Sequence, residues 1–337
     1  MAEPVGFDVF MENALYGPSG FYAVGSGPGR RDADFLTSPE IGPLFGAVVA
    51  RALDAWWDQL GRPDPFPVVE AGGGRGALAR AVAAAAPRCA DVMRYVLVER
   101  AAPARAEAAR SLDVFTAESR ENVQRTVTDD LPAPGELGDV GVVIANELLD
   151  NLVFKLLERA GGEWIELLVD GDEFVPGEAV SGFDHVDAPD GSRIPWHTGA
   201  IEWTARARQL FARSRIALID YGTRTTGELA LRPWRDWLRT YRDHGGGTDP
   251  LRRPGDQDIT CDIAFDQLQP DRLTTQAEWL HGYGIEGFVG QAKATWHERA
   301  AIGDLLALAA RSRVSEADAL LDPTGPGGFL VAEWLPA

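Results

Sequence analysis

Glu70, Gly72, Gly74, Gly76 and Glu99 have the types and spacing of a nucleoside-binding turn, and Asn146, Glu147 and Asp150 lie together where a reacting group could be held. Glycines let a backbone turn tightly and approach a ligand with no Cβ in the way. Gly72-x-Gly74-x-x-Ala77 fits the dinucleotide fingerprint loosely, and Gly72-x-Gly74-x-Gly76 fits an S-adenosylmethionine loop. The glycines alone do not decide between them. Glu70 does more. A carboxylate just before the turn would repel a pyrophosphate and suit a phosphate-free ligand carrying an ammonium and a sulfonium. Glu99 follows the turn by about 20 residues, the usual place for a ribose-binding acid, and suits either ligand class.

These residues need a parallel sheet to position them. Phe66 to Val69, with the β-branched pair Val68 and Val69, is a short continuous apolar run and reads as a strand buried on both faces. The alanine-rich Ala77–Ala86 reads as the helix after the turn. Tyr95–Val98 is the strand that ends in Glu99. Gly141–Ala145 is a third buried strand, which runs into Asn146, Glu147 and Asp150. Ile216–Ile219 is a fourth, ending in Asp220-Tyr221-Gly222. In open α/β sheets, ligand and catalytic groups gather at such carboxyl ends.

The rest of the chain frames that sheet. The spacing predicts one helix from Ser38, as N-cap, and Pro39 to near Gly61, with Trp56 and Trp57 in the core. Residues 1–61 are expected to form a cap and helix, and 62–337 the main domain with insertions at about 152–198 and 223–258. Phe7, Phe10 and Met11 share a helical face. Ala101–Arg110 and Ala200–Ala212 read as helices. Val114–Thr116 and Thr126–Thr128 read as weaker strands, and Phe154–Glu158 with Trp164–Val169 as a hairpin. Residues 171–198 read as loop. Residues 223–258, with Trp234, Trp237, Tyr241 and His244, read as a long irregular insertion of the kind that usually carries function. Thr275–Gly284 and Gln291–Arg311 are expected helices, and Phe329–Trp334 a last strand.

With 337 residues, a formal net charge of −19 and two distant cysteines, Cys89 and Cys261, the chain fits a large α/β domain. The charge argues against nucleic acid or an anionic membrane as partner and suits a cationic substrate. No disulfide framework or zinc spacing is present, and no apolar run would span a bilayer. The N-terminus has neither a secretory nor a basic transit pattern, so a cytoplasmic protein is expected.

Several segments together resemble the MidA-type S-adenosylmethionine-dependent methyltransferases, over nearly the whole chain. They are Asp34-Phe35-Leu36-Thr37-Ser38-Pro39-Glu40-Ile41 with Phe45-Gly46, Glu70–Gly76, Ala145–Asp150, Ile219–Gly222, Arg253–Thr260, Thr274-Thr275-Gln276 and Gly328–Val331. Gly73 stands where the family more often has proline, and Leu148 and Leu149 replace aromatics. The resemblance implies a Rossmann-like methyltransferase sheet, S-adenosylmethionine as cofactor and methyl transfer as activity. The family's mitochondrial members are complex I assembly factors, with a partner protein's arginine as the attributed acceptor. A guanidinium is best met by paired carboxylates, for which Glu147 and Asp150 are candidates and Asn146 an orienting amide. Asp220 and Tyr221 are second choices, and His244 would serve an oxygen acceptor as general base. A small-molecule methyltransferase, an assembly factor with little turnover and, more distantly, an NAD-linked oxidoreductase are the rival readings.

Overall fold

A computed structural model describes residues 3–23, 37–118, 124–242, 245–247 and 249–336. Of the expectations above, His244 and Asp34-Phe35-Leu36 lie outside the described residues. The chain opens with β1 (Val5–Gly6) and α1 (Phe7–Tyr16). A short α2 (Ser38–Ile41) precedes α3 (Pro43–Gln59). The expected single helix is therefore broken at Gly42, and its cap is Thr37 rather than Ser38. Thr37 pairs reciprocally with Glu40 in a capping box.

The first parallel units come next: β2 (Phe66–Ala71), α4 (Ala77–Ala84), β3 (Met93–Val98), α5 (Ala102–Glu118), β4 (Gln124–Thr128) and β5 (Val140–Asn146). Val114–Thr116, expected as a strand, is helical within α5. After them stand β6 (Lys155–Ala160), β7 (Glu163–Asp170), β8 (Glu173–Val180) and β9 (Arg193–Trp196). Residues 171–198 thus hold two strands rather than a loop. The chain returns through α6 (Thr198–Gln209) to β10 (Arg213–Asp220).

The 223–258 segment is more regular than expected. It begins at β11 (Gly222–Thr223) and contains α7 (Thr226–Ala230), α8 (Trp234–Trp237), β12 (Leu238–Arg242) and β13 (Gly245–Gly247), with β14 (Asp258–Cys261) closing a three-stranded sheet. The end of the chain carries β15 (Ile263–Ala264), β16 (Arg272–Thr275), α9 (Gln276–Gly282), α10 (Ile285–Arg299), α11 (Leu305–Leu321) and β17 (Leu330–Trp334). The helix expected over 291–311 is two helices, with Asp304 capping the second through Ala307 N.

The main sheet has seven strands in the order β16-β17-β10-β5-β2-β3-β4. Strands β4, β3, β2, β5 and β10 run parallel, and β17 and β16 are antiparallel additions. Its strands bury both faces because alternate residues feed separate cores. Val68, Leu97, Val142 and Ile144 pack on the α3/α4 side, and Val69, Val96, Val143 and Ala145 on the other. A further core joins Phe7 and Met11 of α1 to Phe154, Leu156, Leu167, Trp237 and Ile259. The N-terminal helix is thereby fixed on the inserted sheet β1-β7-β6-β9 and on β14. Cys89 and Cys261 are buried free thiols. Among the described residues no helix is long and apolar enough to cross a membrane.

Helix α3 lies directly against α4, and Gly46 is the contact point. A Cβ there would fall 2.3 Å from Ala81 Cβ and 2.9 Å from the Ala81 carbonyl carbon. Both neighbours belong to backbone or to a β-carbon and cannot rotate away. Gly46→Ala is expected to destabilise the protein by about 1–3 kcal/mol through overpacking. Urea denaturation measures this, and an unchanged midpoint would contradict so close a helix contact.

Candidate active site

The register of the sheet brings the candidate residues to one edge. Ala71 pairs with Val98 on one side and Ala145 on the other, and Asn146 pairs with Ile219. Gly72, Glu99, Glu147 and Asp220 therefore leave neighbouring strand ends. A cavity of about 770 Å³ opens there, a volume within the range of small-molecule sites. It is walled by the glycine turn, α2, α6, Tyr16 and Tyr22 of the N-terminal segment, and the ends of β3, β4 and β5.

The turn requires its glycines. Gly72, Gly74 and Gly76 have φ of 68°, 52° and 78°, in the left-handed region that side chains avoid. At Gly74 a Cβ would meet no atom within 4 Å, so the backbone faces open space. Glu99 braces the turn: Gly74 N donates to Oε2 at 2.9 Å and Ala101 N to Oε1 at 2.7 Å. Each oxygen retains a lone pair, which suits a vicinal diol. Burial raises the Glu99 pKa above the usual carboxylate value. Glu70 is 4% exposed but reaches the cavity wall, and the Tyr95 hydroxyl donates to its Oε2 at 2.7 Å. Burial pushes it up to about 7.

At the end of the neighbouring strand β5, Glu147 sits in the left-handed region with φ 52°, uncommon for a residue with a side chain. Its amide donates to Ile219 O at 2.8 Å, which holds the backbone in that state. Its Oε1 accepts from Ser38 N at 3.2 Å and Asn146 Nδ2 at 2.9 Å. Burial, then the neighbouring Asp150, pushes its pKa up to about 7. Asn146 Oδ1 is buried and takes no hydrogen bond from the described residues.

The other candidates stand behind the cavity. Asp220 is fully buried and accepts from Leu149 N, Asp150 N and Tyr221 N at 2.8, 3.2 and 2.9 Å, so it supports the backbone after β5. Burial, with Asp150 and Glu147 nearby, holds its pKa well above the ordinary value. Asp150 is also buried and accepts from the Tyr221 hydroxyl, with burial pushing its pKa up to about 6. Neither Asp150, Asp220 nor Tyr221 lines the cavity, so the expected Glu147–Asp150 fork is not presented there.

Three residues on the acceptor side carried no chemical role in the sequence reading: Tyr16, Tyr22 and Asp258. The tyrosine rings stack with centroids 5.4 Å apart and 16° between planes. The Tyr22 hydroxyl donates to both oxygens of Asp258 at 3.1 Å. Their sequence signal was a pair of tyrosines bracketing the Gly17–Gly20 turn. The partner lies 236 residues away.

The cavity's charges fit a cation and not a pyrophosphate. Glu70, Glu99 and Glu147 line it, while Arg75, Arg100 and Arg206 are paired with Glu107, Glu12 and Asp130, and Arg105 donates to the carbonyls of Glu99 and Arg100. No group of three or more His, Cys, Asp or Glu able to hold a metal occurs among the described residues. The unsatisfied Asn146 Oδ1, the diol-ready Glu99 and the open backbone at Gly74 fit the polar parts of S-adenosylmethionine.

A family model described as "Putative S-adenosyl-L-methionine-dependent methyltransferase" matches residues 48–283. The chain is similar to the Drosophila melanogaster protein named protein arginine methyltransferase NDUFAF7 homolog, mitochondrial. The two are 28% identical over 298 residues, which cover 78% of this chain and 65% of the fly protein, just under two thirds of it. The Danio rerio protein arginine methyltransferase NDUFAF7, mitochondrial, is 26% identical, over 84% of this chain and 74% of its own length. Among solved structures, a Burkholderia thailandensis protein bound to S-adenosyl-homocysteine superposes with a TM-score of 0.80 at 26% identity. That match covers 98% of this chain and 87% of the other.

Proposed function

The chain belongs to the MidA-type family of S-adenosyl-L-methionine-dependent methyltransferases, and from that premise we propose that it methylates a nitrogen of a protein arginine. Glu147 carries the reading. It is a partly buried carboxylate locked in a strained backbone state, at the cavity and beside the glycine turn. Support for the guanidinium comes from the relatives named as protein arginine methyltransferases. The acidity of the cavity and the net charge of −19 point the same way.

When bound, S-adenosylmethionine supplies an electrophilic methyl on a cationic sulfur. Glu99 would hold the ribose hydroxyls, and the left-handed glycines would admit the methionyl part. Glu147 Oε1 is fixed by Ser38 and Asn146, and Oε2 takes no hydrogen bond from the described residues. Oε2 would therefore orient the acceptor nitrogen and take its proton as the N–C bond forms and the methyl–sulfur bond breaks, the electron pair staying on sulfur. Alignment of nucleophile and methyl supplies much of the acceleration.

The test is labelled-methyl transfer into proteins of a lysate from a strain lacking the gene, and then acid hydrolysis. Label is expected in methylated arginine. Label confined to small metabolites would reject the protein acceptor, and no label anywhere, with cofactor still bound, would favour a binding role over turnover.

A further inference from the structure

The hydrogen-bond directions along the acceptor side of the cavity specify what can enter. Tyr22 and Tyr16 both line it, yet neither offers its proton inward. The Tyr22 hydroxyl donates to Asp258, and the Tyr16 hydroxyl donates to Asn151 O at 3.4 Å. Asn151 also lines the cavity, and its amide donates to Asp258 Oδ1 at 3.2 Å and Ile259 O at 3.3 Å. What the side chains lining this side leave free is a set of acceptors: the lone pairs of both phenol oxygens and Glu147 Oε2. Arg100 is the neighbouring donor. Its guanidinium lies 4.1 Å from the Tyr16 ring centre, with both terminal nitrogens bonded to Glu12. It already illustrates a guanidinium stacked on this tyrosine wall.

We propose that the Tyr22–Asp258 pair determines acceptor specificity: by drawing the Tyr22 proton away from the cavity, Asp258 leaves a wall of acceptors that admits a guanidinium and refuses a side chain ending in a carbonyl or carboxylate. The proposal rests on the arginine reading above. A guanidinium carries five N–H donors and no acceptor, so it can satisfy every oxygen on this wall. A ureido group is nearly isosteric but replaces one nitrogen by an oxygen. That oxygen would face other lone pairs in a site where unpaired polar groups are costly. Asp258 is a positioning residue that acts through Tyr22. Tyr22 is the contacting one.

The experiment titrates the protein, saturated with S-adenosylhomocysteine, with Nα-acetyl-arginine amide and with its citrulline counterpart. The arginine compound is expected to bind at least about tenfold more tightly. Tyr22→Phe keeps the ring stack and should weaken arginine binding about fivefold or more while leaving S-adenosylhomocysteine affinity unchanged. Asp258→Asn can donate an amide proton to Tyr22 and free the phenol proton toward the cavity, so the arginine-to-citrulline ratio should fall toward one. A purely structural role would not change that ratio. Equal binding of the two compounds by the wild type, binding of neither, or an unaffected Tyr22→Phe would overturn the proposal. If Tyr22→Phe still labels arginine in lysate proteins as well as the wild type does, the arginine reading stands and this one falls. If the wild type places no label on arginine, both fall.

Discussion

Glu147→Gln is expected to lower methyl transfer by about two to four orders of magnitude, the range lost with a general base, while S-adenosylhomocysteine binds as before. Glutamine preserves the size of the side chain and the oxygen that accepts from Ser38 N. It cannot take a proton. Glu99 and the glycine turn, proposed to hold the cofactor, lie on other strand ends and keep their own hydrogen bonds. The pH profile gives an independent readout. Burial and Asp150 hold Glu147 near 7, so its basic form is depleted as pH falls below that value. Wild-type kcat/KM should therefore rise through about pH 7, and the residual activity of the variant should lose that inflection. Misfolding is excluded by a thermal melt at pH 8, where removal of a buried charge favours the variant. Half the wild-type turnover or more in the variant would remove Glu147 from the chemistry.

Much of this site was legible because buried parallel strands write themselves as continuous apolar runs. Val68-Val69, Tyr95–Val98 and Val142–Ala145 each feed two cores, and the first polar residues beyond each run must emerge at one sheet edge. Glu99 and Asn146-Glu147 were locatable on that ground alone. Strand β8 was not, because it is an exposed edge strand with Pro176, Gly177 and outward acids, and shows no apolar alternation. Val114–Thr116 has β-branched and aromatic residues at strand spacing, yet the preceding alanine-rich helix continues through them. Asp150 and Asp220 looked equivalent to Glu147 by position. What separates them is the turn after β5, which folds Asp150 back onto Tyr221 and makes Asp220 a backbone acceptor. Tyr22–Asp258 depends on docking of the N-terminal segment against β14, a contact that no local pattern encodes.

The same buried acids are expected to make the fold more stable in mild acid than at neutral pH. Glu70, Glu147 and Asp258 are each pushed up to about 7 and Asp150 to about 6, burial being the first cause in every case. In the unfolded chain such groups titrate near 4. Between those values the folded protein binds more protons than the unfolded one, so stability falls as pH rises. The contribution is fully present below about pH 4 and is lost by the time pH passes about 7. Exposed acids such as Asp58, Asp304 and Glu278 have lowered pKa values, and their opposite contribution is withdrawn only below the ordinary carboxylate range. They do not offset the trend in this window; buried His197, pushed down to about 3, opposes it below about pH 6.5, but as one group against four. The melting temperature is therefore expected to be higher at pH 5.5 than at pH 8, by about 5 °C or more. Scanning calorimetry at matched ionic strength checks it, and a flat or rising melting temperature across that range would contradict the burial of these acids. Glu70→Gln, which keeps an oxygen for the Tyr95 hydroxyl, should flatten part of the slope. A cation in the cavity pairs with the ionised acids, so S-adenosylmethionine should raise the melting temperature more at pH 8 than at pH 5.5. The charge that weakens the empty fold at neutral pH is then the charge that holds a cationic cofactor and acceptor.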